Sequence, residues 1–295
     1  MSPKKIASPL SRKATLVAVD ISQWTARKMD KKVTDKVNRE HNASEDAGRY
    51  NKLLIAAKHL EAINSAVAKA RRLHYTMTKP WCDEGVRILP NVLHAKFADE
   101  FRKLKREFDT AVDEFCRDYP VYVEERKRSL NGLFNVSDYP HPTRIRSRFK
   151  MATKVFPVPE TDDFRSDVLD ADTVDDIKRE LTETNETVLN DALQHTARQI
   201  IEVVGHMASK LKEYKTKGKT RSFFSYTLVE NVRELAELLP AFNLTDDPAL
   251  DAIAKRIKRE LCAEDAETLR HNDEARKVVA KSADAILKDV ESLLG

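Results

Sequence analysis

Apolar side chains recur every third or fourth position along most of this chain, the period of a helix that buries one face. The clearest run is Leu93, Phe97, Phe101, Leu104, Phe108, Val112, Phe115, Tyr119 and Tyr122, separated by steps of 4, 4, 3, 4, 4, 3, 4 and 3. Between them lie Lys96, Arg102, Lys103, Lys105, Arg106 and Glu107, a solvated face. This predicts an amphipathic helix, or a coiled-coil seam, opening at Pro90. From there to Tyr119 it would be a rod of about 45 Å. Pro120 either kinks it or starts its next segment, and Asn131-Gly132 ends it near Leu130.

A first helix is predicted from Ser44, as N-cap, to Met77. Glu45 and Asp46 suit its first turn, and Leu53, Ala57, Leu60, Ile63, Val67 and Ala70 form one stripe. It would form an antiparallel hairpin with the Pro90 helix, turning through Lys79 to Leu89. Thr15 to Ile21 and Phe149 to Val158 carry the β-branched or alternating character of strands, and are expected to pair as a small two-stranded ribbon packed on helices. Beyond Pro159 the pattern predicts a long helix from Asp170 to Tyr214 and a second from Ser222 to Leu239. A third opens at Asp247-Pro248 and runs to about Leu294, with a break near His271 to Asp273.

Composition sharpens this picture. Only 6 glycines stand among 295 residues, 34% of which are charged. Tight turns need glycine and helix interiors disfavour it, so the fold class is mainly α: an elongated helical bundle with long antiparallel hairpins. The balance of charge is uneven. Residues 1–160 carry 32 Lys and Arg against 20 Asp and Glu, and residues 161–295 carry 20 against 28. The basic half can face an anionic partner, the acidic half, or another copy of the chain, which leaves a homo-oligomer open. The division predicts a disordered basic tail over 1–13, a basic helical-hairpin domain over 14–160 and an acidic helical region over 161–295. Mean hydropathy is −0.55 and no apolar run reaches the length of a bilayer span, so no membrane partner and a cytoplasmic location are expected.

No catalytic constellation stands out. Lys217-Gly218-Lys219-Thr220 echoes the end of a phosphate-binding loop, but Glu213 stands where that loop needs glycine and no apolar strand precedes it. The histidines form no metal-ligand motif, and His59 and His74 read as packed or surface imidazoles. Asp83 and Glu84 point different ways, and Asp175, Asp176 and Glu180 read as a solvated face. Cys82, Cys116 and Cys262 are too few and too far apart for a disulfide framework and read as buried or half-buried thiols. No enzyme activity, metal or cofactor is expected.

Two sets of residues carry interaction chemistry. Arg144, Arg146, Arg148 and Lys150 place four cations in seven residues, with Phe149 among them. On an extended segment the arginines would share a face able to bind phosphates, with Phe149 free to stack on a base. The alternative is that they pair with carboxylates of the same chain. Phe97, Phe101, Phe108, Phe115 and Tyr119 form a seam for packing or for association between copies.

Residues 14–160 resemble a domain family of unknown function from tailed bacteriophages and mobile elements. The likeness is carried by Gly85-Val86-Arg87-Ile88-Leu89-Pro90, Phe115-Cys116-Arg117-Asp118-Tyr119-Pro120, Gly132 to Pro140, and Arg146-Ser147-Arg148-Phe149 leading to Phe156-Pro157-Val158-Pro159. The strand-like Leu16 to Trp24 segment shares it. Genes of that family tend to lie near those for a MoxR-type AAA+ ATPase and a von Willebrand factor A-type protein. The resemblance therefore implies a phage protein in the bacterial host cytoplasm, acting as a non-enzymatic helical adaptor in an AAA+ assembly. Two alternatives stand beside it: a DNA- or RNA-binding accessory factor in replication or recombination, and a self-assembling phage structural protein.

Overall fold

The computed structural model describes residues 10–82, 85–161, 169–214 and 225–294. The chain is mainly helical with a small sheet. It divides into two compact units, each assembled from separated stretches. Unit 1 holds residues 1–17, 77–94 and 155–295, and unit 2 holds 18–76 and 95–154. The sequence reading placed a single divide at 160. The reason for the difference is packing: Leu10, Ala14 and Leu16, then Ile88, join Val158, Val188, Leu189 and Leu244 in one apolar cluster. The N-terminal stretch is thus bound to the later part of the chain. Residues 1–9 of the expected tail lie outside the described residues.

In chain order, one helical turn, α1 (Leu10–Lys13), leads into strand β1 (Ala14–Ser22). A short ribbon follows, β2 (Arg27–Met29) against β3 (Asn51–Leu53), antiparallel with Lys28 opposite Lys52. Between them runs α2 (Lys31–Glu40), which no apolar stripe announced, because polar contacts hold it. Its cap Asp30 accepts from the Val33 amide at 3.2 Å. Buried Thr34 donates to the Asp30 carbonyl at 2.8 Å, and Asn38 donates to the Glu45 carbonyl at 3.1 Å. The predicted first helix is consequently shorter. Ser44 turns back to Asp46 instead of capping, Leu53 and Ala57 are exposed, and α3 runs over Glu61–Met77 behind a 3₁₀ turn at Ala57–Leu60. From Leu60 onward the stripe holds, with Ile63, Val67 and Ala70 buried.

The stretch expected to be a turn is a β-hairpin, β4 (Lys79–Pro80) against β5 (Val86–Pro90), with Lys79 opposite Ile88. A 3₁₀ turn at Asn91–Leu93 then opens α4 (His94–Leu130). This helix continues past Pro120, which is exposed, where a forfeited backbone bond costs least. Asn131, at φ 46°, is the left-handed residue that stops it, the role asparagine tolerates. Partners step down α4 as they step up the α3 segment: His59 with Glu125 at 2.7 Å, Lys69 with Glu107 at 2.9 Å, and the His74 ring 6.4 Å from Phe97. A short α5 (Pro142–Ile145) precedes β6 (Lys150–Phe156). The sheet order is β4-β5-β1-β6, so the two strands read from sequence are neighbours in a sheet of four, not a ribbon of two.

The rest of unit 1 is a helical bundle. Asp170 caps α6 (Ala171–Glu213) by accepting from the Thr173 amide at 2.8 Å. Then come α7 (Thr227–Phe242), α8 (Pro248–Arg256) with a π turn at Ile257–Leu261, α9 (Ala266–His271) and α10 (Asp273–Leu294). Their core includes Ile200, Val204 and Met207 with Val232, Leu239, Ile257, Leu269, Ala283 and Ile286. Polar side chains fix its corners. Asn243 accepts from the Asp247 amide at 2.8 Å and donates to Asp251 at 2.8 Å, closing the turn between α7 and α8. Buried Arg276 donates to the Leu269 carbonyl at 2.6 Å and stacks over Tyr214, which seats the break at Asn272. The expected glycine stop at Gly218 lies outside the described residues.

Phe108 is fully buried and Leu104 only half-buried on the same helix. Phe108→Ala should lower the free energy of unfolding by about 3–5 kcal/mol. Leu104→Ala should cost less than half as much, with urea denaturation as the measurement.

Candidate functional site

Unit 2 builds a recess around Trp24 from three short segments. The first follows β1, where Ala26 takes φ 51° while buried, a conformation alanine resists. It is held there by its carbonyl, which accepts from the Leu54 amide at 2.7 Å. This sharp turn sets Trp24 ahead of Arg27 and Lys28. The second segment follows α4. Tyr119 donates its hydroxyl to the Pro140 carbonyl at 3.0 Å, and Lys52 reaches the Leu133 carbonyl at 3.1 Å. Lys52 is itself buried and met by two carboxylates, Asp30 at 3.0 Å and Asp138 at 2.6 Å. The Lys52 ammonium accordingly holds the Asp30 carboxyl below its ordinary range. The third segment is the 3₁₀ turn Arg146–Arg148, which presents Arg148.

The recess is open to solvent and offers about 290 Å³. The indole of Trp24 is half-buried, edge-on to Tyr119 at 5.8 Å and tilted on Phe115 at 6.5 Å. The Tyr139 hydroxyl is buried without a hydrogen-bond partner among the described residues, and burial raises its pKa. Arg27, Lys28 and Arg148 line the same recess, all exposed, and none of their side chains enters an ion pair or hydrogen bond with a described residue. Asp138 also lines it, with Lys52 offsetting its charge. An aromatic surface inside a rim of unengaged cations suits an anionic ligand with a flat ring.

The structure separates the residues that the sequence grouped. Residues 142–148 are helical turns, not an extended segment, so Arg144, Arg146 and Arg148 do not alternate along one strand face. Arg146 is engaged by Asp109 at 3.0 Å and Asp113 at 2.9 Å, and Lys150 by Asp20 at 2.7 Å. Phe149 is buried edge-on to Phe115 at 5.6 Å, so its ring is not free to stack on a ligand. Arg144 stays exposed, and Arg148 alone of the group lines the recess. The seam of Phe97, Phe101, Phe108, Phe115 and Tyr119 is buried, at most 5% exposed, within the protein's own interior. It is therefore not a surface for another copy. Tyr139 opens the segment that carries Arg144 to Lys150, whereas Trp24, Arg27 and Lys28 belong to no motif, and only the tertiary fold brings Tyr139 and Arg148 to them.

Unit 1 holds a second unusual group. Lys79 has no exposed surface, and its ammonium donates to Gln199 at 2.5 Å and lies 3.8 Å above the Phe242 ring. Burial, reinforced by the Arg87 charge, lowers its pKa to about 7. One turn before Gln199 on α6 is His195, whose Nδ1 is buried without a described partner. Burial, then Lys79, Arg87 and Arg198, lower its pKa to about 4. Arg87 donates to Thr78 through Nε at 2.7 Å. The amine is enclosed, so it is a structural element of unit 1 and not a nucleophile open to substrate. Cys116 and Cys262 are half-buried, with pKa values raised by burial, while Cys82 is exposed, contrary to expectation. Among the described residues no three His, Cys, Asp or Glu gather to hold a metal, and no helix is long and apolar enough to cross a membrane. The phosphate-loop echo at Lys217 to Thr220 lies outside the described residues.

No family model, curated protein or solved structure matches this chain.

Two pH effects follow from the buried bases. The unfolded chain binds a proton at His195 below its ordinary 6.5, whereas the folded protein refuses it until about 4. Stability should therefore fall as pH drops through that window. Lys79 acts likewise between 10.5 and about 7, so stability should also fall as pH drops from 10 to 7. His195→Gln should flatten the first slope relative to the parent, and Lys79→Met the second. Lys79→Met should also raise the His195 pKa, read by NMR titration of the imidazole.

Proposed function

We propose that this protein binds nucleic acid through the Trp24 recess of unit 2, as an accessory factor rather than an enzyme. The observation that carries this reading is the convergence of three cations with unengaged side chains, Arg27, Lys28 and Arg148, on a partly exposed tryptophan. Elsewhere in unit 2 cations such as Lys52, Lys69, Lys105, Arg146 and Lys150 are committed to carboxylates. A cation already paired offers a phosphate little, because the pair must be broken first. Unengaged arginine and lysine give up only hydration and release counterions from the polyanion. The basic balance of residues 1–160 adds long-range attraction of the same sign.

A second reading, a helical adaptor for a protein partner, is favoured by a different observation. Val121 is 67% exposed on α4, beside a depression of about 540 Å³ that Glu124, Glu125, Arg128 and Ser129 also line. An apolar contact ringed by charge is the composition of a small docking spot. The elongated-bundle reading belongs with it: the 37 residues of α4 make a rod of about 55 Å that would serve as an arm. An AAA+ ATPase or a von Willebrand factor A-type protein is the partner that the family resemblance suggests. Val121→Asp should abolish co-elution with such a partner if this reading holds.

The nucleic-acid reading is tested by the salt dependence of oligonucleotide binding, measured by anisotropy. Affinity should fall steeply with salt, and replacing Arg27, Lys28 and Arg148 by alanine should reduce the log–log slope by about 2–3. Arg146→Ala should leave that slope unchanged, since its guanidinium already serves Asp109 and Asp113. A slope indifferent to the triple change would exclude the proposal.

A further inference from the structure

The depressions along α4, as at Lys96, Asp99, Glu100, Arg102, Lys103 and Arg106, are lined by charged residues, of which Arg102 and Lys103 pair with Asp99 and Glu100, and offer a ligand no aromatic surface. The Trp24 recess offers an aromatic surface beside cations in no ion pair. We infer that it takes one unpaired base, so that the ligand of unit 2 is a single strand with a base turned out of its stack, not a duplex. This rests on the reading above that unit 2 binds nucleic acid.

Three features of the recess carry the inference. First, the indole is braced. Tyr119 meets it at 76° and Phe115 at 59°, and both rings are at most 2% exposed, so neither can yield to let Trp24 swing. The part of Trp24 left uncovered is a fixed stacking surface.

Second, the space is small and its walls are mixed. About 290 Å³ beside Leu54 and Pro140 suits one base with a few waters and does not suit a base pair with its two sugars. A base in a duplex has both faces covered by its neighbours and one edge occupied by its partner. It reaches a recessed aromatic ring only after leaving the stack, and a single strand gives it up most cheaply.

Third, cations stand on more than one side of the recess. Arg27 and Lys28 arrive from one segment and Arg148 from another, so cations are available to the phosphates on either side of the extruded nucleotide. Stacking on an indole discriminates weakly among bases, so the site is tolerant of sequence.

The chain has two tryptophans, Trp24 and Trp81, so Trp81→Phe leaves Trp24 as the lone indole. In that background the fluorescence is followed on adding a short oligothymidylate, a duplex of the same length, or inorganic polyphosphate. The inference expects the single strand to quench Trp24 and the duplex to bind at least about tenfold more weakly. It also expects polyphosphate to compete for the cations without quenching. Trp24→Ala should weaken the single strand on the order of 10- to 100-fold, and Trp24→Phe should restore most of the loss. Should Trp24→Ala fail to fold, because Phe115 and Tyr119 lose their neighbour, the quenching experiment decides alone. Single-strand binding without quenching, or a duplex bound equally well, overturns the inference and leaves the cation reading standing. No oligonucleotide binding at low salt overturns the reading beneath it.

Discussion

A cation withdrawn from water must be met by an acceptor or give up its proton, and this constraint organises the protein. Lys52 is met by Asp30, Asp138 and the Leu133 carbonyl, and in being met it ties β3 to the loop after α4. Arg276 is met by the carbonyls at the end of α9 and by the Tyr214 ring. Lys79, with one amide oxygen and an aromatic face, is underprovided, and its affinity for the proton falls to match. Arg27, Lys28 and Arg148 stay in solvent and keep their capacity for a partner. One rule thus separates the cations that build the fold from those left over for a ligand.

The aromatic residues follow a parallel division. Phe108, Phe115 and Tyr119 fill the interior of unit 2, and Phe149, which by sequence is equally able to stack on a base, is spent there as well. Trp24 differs because it lines the recess and keeps part of its surface exposed. Its neighbours Phe115 and Tyr119 serve twice, as core and as the brace that holds the indole in place. The recess therefore depends on the same packing that stabilises α4, and the strained backbone at Ala26 is the local cost of bringing Trp24 to it.

The helices were legible from the chain wherever burial is one-sided. The seam from Leu93 to Tyr119, the helix starts at Asp170 and at Asp247-Pro248, and the break near Asn272 all report local chemistry, and all appear in the structure. What escaped was structure held by polar contacts. Helix α2 rests on Asp30, Thr34 and Asn38, and the residues it buries, Thr34 and Asn38, are polar. Ser44 looked like a cap, yet its hydroxyl found Asp46 first. Lys79 looked like a turn residue and is buried beneath Phe242. A side chain's partner across the fold leaves no mark on its neighbours in sequence.

Read by itself, the sequence determined the mainly helical class, several helix spans, the two strands and the uneven charge, because each depends on residues within a few positions of one another. Only the tertiary structure decided that the chain folds as two interleaved units, that Arg146 and Lys150 are committed while Arg148 is not, and that Trp24, Arg27, Tyr139 and Arg148 share a recess. Those outcomes depend on which distant groups meet and how much water remains between them. The energy of a charge or a ring is set by that surrounding, which periodicity along a chain does not encode.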